Sequence, residues 1–83
     1  MDMTPEVIRI LDEVLSLDGR GASFTRDTRL LGSVPEFDSM AVVALITALE
    51  EQLGIVVDDD EIDGATFATV GTLAEFVAGK LAA

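Results

Sequence analysis

Ser39 stands in Glu36-Phe37-Asp38-Ser39-Met40, directly ahead of the most apolar helical stretch of the chain. Asp38 carries a side-chain oxygen able to cap free backbone amides at a helix start, which puts Ser39 in the first turn with its hydroxyl toward solvent. A hydroxyl there suits a phosphate ester, because the positive end of the helix dipole favours an anion by about 0.3–1 kcal/mol at a surface. An Asp-Ser pair is also common at ordinary helix starts, where the serine has no chemical role. Taken alone, the pair leaves both readings open.

Other chemistry is scarce. The chain has no cysteine and no histidine, which excludes disulfides, thiolate nucleophiles and thiolate metal sites, and removes the usual general base and the usual zinc ligands. A self-contained hydrolase or metalloenzyme is therefore not expected. The run Asp58-Asp59-Asp60-Glu61 invites comparison with a calcium loop, since Asp59, Glu61, Asp63 and Gly64 fall on its first, third, fifth and sixth places. Val70 then occupies the twelfth place and cannot supply the bidentate carboxylate that closes the coordination sphere. The run reads as a solvated acidic helix start, and no metal site is assigned.

Eighty-three residues make one domain, 1–83, and a chain this short buries only about 60% of its unfolded surface or slightly more. A deep catalytic cleft is hard to build from it. Apolar residues make up 49%, with four Phe and no Trp or Tyr, so a folded, mainly aliphatic core is expected. Sixteen acids against five basic residues give a net charge of −11. That charge repels nucleic acid and anionic membranes, keeps the domain soluble and attracts basic protein surfaces. Without a basic-then-apolar leader or an apolar run approaching about eighteen residues, the chain reads as cytoplasmic, with no membrane insertion.

The elements that would position Ser39 follow from spacing. Thr4-Pro5-Glu6 is a helix-start signal, and Val7, Ile8, Leu11, Val14 and Leu15 recur at three- and four-residue intervals, predicting a helix to about Leu17. Asp18-Gly19-Arg20-Gly21 ends it. A long connection to Asp38 follows, pinned by Phe24, Leu30 and Leu31 and broken by Val34-Pro35. A second helix is predicted over Ser39 to Leu53, closed by Gly54. Its expected core stripe is Met40, Val43, Ile46, Leu49 and Leu53, widened by Leu45. Ile55-Val56-Val57 reads as extended, with a short helical turn near Asp60 to Asp63. Thr69 is expected to cap a last helix with Val70, Leu73, Val77 and Leu81 inward. The fold class is all-α: a small antiparallel bundle of three main helices plus one short helix.

Order and spacing across Val7 to Leu81 resemble the acyl carrier protein family. The resemblance rests on Leu30-Leu31-Gly32, Phe37-Asp38-Ser39-Met40, Leu45, Leu49-Glu50-Glu51, Leu53-Gly54-Ile55 and Phe67-Ala68-Thr69-Val70-Gly71-Thr72-Leu73. It implies a 4′-phosphopantetheine arm, derived from coenzyme A, on Ser39, with Asp38 as the helix cap and an aid in loading. It also implies a carrier, not an enzyme: a phosphoprotein monomer whose partners are a phosphopantetheinyl transferase and the acyl-loading and acyl-transfer enzymes, as in fatty acid biosynthesis. The transferase would bring coenzyme A, a magnesium ion and the activating base, and the thiol of the arm would hold acyl groups as thioesters.

The chain also departs from that family. Typical fatty-acid carriers have acids on the exposed face of the helix after the serine; here those places are Ala41 and Ala44, with Val42 beside them. The expected partner face is thus Glu36, Met40, Ala41, Val42, Ala44, Glu50 and Glu51, an apolar centre with a charged rim. The stretch Glu36 to Val43 is similar to carriers associated with exosortase and exopolysaccharide gene clusters, implying a specialised lipid, polyketide or exopolysaccharide-linked pathway. It lacks the Gly-Gly-(Asp/His)-Ser common in peptidyl carriers, which favours an acyl cargo. The alternative function is an unmodified acidic helical interaction domain binding its partner through Ala41, Val42 and Ala44.

Overall fold

Asp2 starts the first helix by accepting the Thr4 amide at 3.0 Å, and α1 runs Thr4–Leu15 with Pro5 in its first turn. Val7, Ile10, Leu11 and Leu15 are buried along it, with Ile8 and Val14 half-buried beside them. Ser16 and Asp18 turn into the left-handed region at φ 53° and 54°, which ends α1 two residues before the expected Leu17. Leu17 nevertheless stays in the core, and its amide reaches back to the Asp12 carbonyl at 3.0 Å. The structure, a computed structural model, describes residues 2–30 and 37–82.

Beyond α1 the chain makes a 3-10 turn, Arg20–Ser23, held by the Asp12 carboxylate, which accepts the Gly21 amide at 2.9 Å and the Gly19 amide at 3.2 Å. A Cβ at Gly21 would fall 2.8 Å from Asp12 Oδ2, so any other residue here would push the Asp12 carboxylate out of this position. The following segment pairs with residues 68–71. The Leu30 amide donates to the Ala68 carbonyl at 2.9 Å, the Val70 amide to Thr28 at 2.9 Å and the Gly71 amide to Arg26 at 2.8 Å, around an antiparallel bridge between Arg29 and Thr69. Leu30 is fully buried and Phe24 packs half-buried on the core, so both pin this connection. Leu31, the third expected pin, lies outside the described residues.

The second helix, α2, is Ser39–Leu53, capped by Asp38 and closed by Gly54 at φ 69°, a conformation natural to glycine. Its inward face differs from the expected one. Leu45, Ile46 and Leu49 are buried, whereas Met40 and Val43 are 81% and 65% exposed. The helix is apolar nearly all round at this end, so two stripes of three- and four-residue spacing compete, and packing on α1 selects the one through Leu45 and Leu49.

After α2, Ile55 is buried, and a 3-10 turn at Asp59–Glu61 stands where a short helical turn was expected. The last helix, α3, is Val70–Ala82 and buries Val70, Leu73, Ala74 and Val77. Thr69 starts it by accepting the Thr72 amide at 3.1 Å. Lys80 near its end pairs with Glu61 and lies 5.7 Å from the centre of the Phe76 ring, fastening the 3-10 turn to α3. The extensive helix-to-helix packing all involves α1, against which both α2 and α3 lie. Burial there drives folding at roughly 1.5–3 kcal/mol per large apolar side chain. The result is a small all-helical bundle whose buried residues, among those described, are apolar without exception.

Candidate functional site at the start of the second helix

Ser39 is the first residue of α2 and is exposed to solvent. The turn beneath it is fixed from two sides. Asp38 adopts an extended backbone, its Oδ1 accepts the Ala41 amide at 2.9 Å, and its carbonyl accepts the Val42 amide at 3.0 Å. One residue earlier, Phe37 is buried, its ring centre 6.1 Å from that of Phe67. A rigid helix start thus presents a hydroxyl that makes no hydrogen bond to any described residue. An exposed alcohol at the positive end of a helix is what a phosphodiester requires, since the ester's negative charge is favoured there and nothing need be displaced to form it.

Around the hydroxyl lies an apolar surface. Ser39, Met40 and Val43 line a shallow recess, and Ala44 is exposed on the same helix. Ala41 and Val42, expected on the partner face, are half-buried and lean on the core. Glu50 is half-buried and accepts the Val57 amide at 2.9 Å, so it serves the turn after α2, while Glu51 is exposed. Glu36 lies outside the described residues. Sequence reasoning assigned both Met40 and Val43 to the core stripe, and of the two only Met40 was also expected on the partner face; both are surface residues. The signal for this was present, because Val43 stands four residues after Ser39 and three after Met40, on one helical face.

Three carboxylates away from Ser39 have structural work. Hydrogen bonding to Lys80, and then to the Asp58 amide, holds the Glu61 carboxyl below the usual range. The Asp63 carboxyl is lowered by the Thr66 amide at 2.8 Å and the Thr66 hydroxyl at 2.9 Å. Thr4 does the same for Asp2. Among the described residues no group of three His, Cys, Asp or Glu is arranged to hold a metal ion. Nor is any helix among them long and apolar enough to cross a membrane.

Comparison with known proteins gives this helix start its context. The family described as Phosphopantetheine attachment site matches residues 6–77. A holo acyl carrier protein from Nitrosomonas europaea, solved in solution by NMR, is similar at 51% identity and a TM-score of 0.93, with 100% of each chain covered. No match was found among curated proteins. The chain belongs to the acyl carrier protein family. It is a carrier and not a catalyst, its prosthetic group is 4′-phosphopantetheine, and the partners general to the family are phosphopantetheinyl transferases and acyl-handling enzymes.

Proposed function

We propose that Ser39 is the residue that bears the arm and that the domain, residues 1–83, presents acyl thioesters to enzymes of a specialised lipid, polyketide or exopolysaccharide-linked pathway, as a cytoplasmic monomer. The observation that carries the attachment is the exposed Ser39 hydroxyl on a capped helix start, inside the stretch matched by the attachment-site family. The similar carrier from Nitrosomonas europaea is itself a holo protein, which supports the same chemistry here. Ser39 Oγ would form the new phosphoester bond as the pyrophosphate linkage of coenzyme A breaks, its proton passing to a base and the adenosine 3′,5′-bisphosphate half leaving, with base and magnesium ion brought by the transferase. Once attached, the arm supplies the thiol. Asp38 keeps the turn in shape, and the bundle serves as a rigid handle.

An enzyme that reaches Ser39 must also cover its neighbours, so the exposed Met40, Val43 and Ala44 form the centre of the docking face, with Asp38 and Glu51 as its charged margin. Support for a specialised pathway is this apolar centre, which suits partners unlike those that read an acidic helix. One assay tests both parts: incubation with a phosphopantetheinyl transferase and coenzyme A, followed by intact-mass measurement. Wild type gains one arm, and Ser39→Ala gains none while keeping its stability within about 0.5 kcal/mol. Ala44→Glu remains folded and loads more slowly. A wild-type protein that stays unmodified, or a Ser39→Ala variant that gains the arm, removes the attachment at Ser39. An unchanged rate for Ala44→Glu removes the apolar docking face.

A further inference from the structure

The Asp38 cap shapes the first turn of α2 internally, but it does not set where that turn points relative to the rest of the bundle. A residue preceding a helix cap commonly packs back on the fourth helical residue, here Val42, and so sets the angle at which the chain meets the helix. Phe37 holds that place, and its ring reaches further, to Phe67, at 6.1 Å between centres and tilted by 42°. Both rings are buried, at 4% and 2% exposure. Phe67 is itself anchored, because the strip that follows it is tied by three backbone hydrogen bonds: the Leu30 amide donates to Ala68, and the Val70 and Gly71 amides donate to the Thr28 and Arg26 carbonyls. Since α2 and α3 pack chiefly on α1, this ring pair is a direct tie between the start of one and the start of the other.

We propose that Phe37 and Phe67 are positioning residues for the loading reaction: the ring pair holds the start of α2, and with it the Ser39 hydroxyl, in the orientation a phosphopantetheinyl transferase needs. The inference rests on Ser39 as the attachment point. Both rings are buried, whereas Ser39 is exposed. Their effect acts through the two-residue lever from Phe37 to Ser39, and misplacement of a reacting atom by about 1 Å costs up to roughly 10²-fold in rate. Shortening the distant ring should therefore slow the chemical step while leaving Met40, Val43 and Ala44 free to dock.

The test measures loading of wild type, Phe67→Leu, Phe37→Leu and a control, Val77→Ala, with one transferase and coenzyme A, at a temperature where circular dichroism shows each protein folded. Val77 is fully buried in α3 and lies two turns beyond Thr69. Both Phe variants are expected to lower kcat about 3- to 30-fold with KM little changed, consistent with sub-ångström misplacement, and Val77→Ala to load at the wild-type kcat. Phe67→Met, closer in volume, is expected to recover part of the rate and serves in place of a Leu variant that does not fold. Wild-type kcat in Phe67→Leu, or an equal loss in Val77→Ala, overturns the positioning role. Failure of wild type to load would instead strike the attachment at Ser39.

Discussion

Asp38→Ala deletes the oxygen that meets the Ala41 amide at 2.9 Å, whereas Asp38→Asn keeps an acceptor there and removes only the charge. The side chain is exposed, so water replaces part of what is lost, and the cap should be worth about 1 kcal/mol, within the usual span of roughly 0.5–2. The charge beside the helix dipole contributes about 0.3–1 kcal/mol, less in salt. For a domain of this size 1 kcal/mol moves the midpoint of thermal unfolding by about 4–8 °C. Thermal unfolding in moderate salt should then place Asp38→Ala roughly 4–8 °C below wild type and Asp38→Asn close to it. Equal losses in both variants would show that charge, not the hydrogen bond, holds the turn; no loss in Asp38→Ala would show that the cap contributes nothing. The same proteins separate fold from chemistry. If the Asp38 carboxylate assists loading, Asp38→Asn loads slowly while stable; a wild-type loading rate in that variant confines Asp38 to capping.

Two further outcomes concern the bundle around the site. Leu49→Ala, at a side chain 1% exposed, should cost about 2–5 kcal/mol, while Val43→Ala, at 65% exposed, should stay within about 0.5; urea midpoints would refute the assigned inward face of α2 if the order were reversed. Glu61, lowered first by its hydrogen bond to Lys80, contributes stability that is present above its ordinary value of 4.5 and is lost as pH falls through the lower folded value. Glu61→Gln should consequently be less stable than wild type near neutrality, and the gap should shrink as pH falls below 4.5; a gap that does not shrink in acid would refute the clasp.

Much of the fold was legible because short-range chemistry decided it. Gly54 closes α2 since the left-handed turn there suits glycine, Asp38 and Thr69 cap since their side-chain oxygens reach amides within their own helices, and the buried residues of α3 follow a single stripe. The end of α1 was less legible, because Ser16 and Asp18 enter the left-handed region although neither is glycine. Nor did spacing reveal the Asp12 grip on Gly19 and Gly21, which lie beyond one helical turn, or the pairing of residues 26–30 with 68–71 and the reach of Lys80 to Glu61, which join residues far apart in the chain.

The sequence by itself determined that a serine follows a capping aspartate at the start of an apolar helix in a chain with no thiol or imidazole, and the order and spacing of its motifs, resembling the acyl carrier protein family, turned that pair into an expected attachment point. Tertiary structure alone decided which side of that helix meets solvent. Met40 and Val43 are as apolar as the residues that fill the core, and a helix apolar on several sides carries too little contrast to choose its own inward face. Contact with α1 made the choice, leaving an apolar surface beside the Ser39 hydroxyl and burying Phe37 against Phe67 behind it.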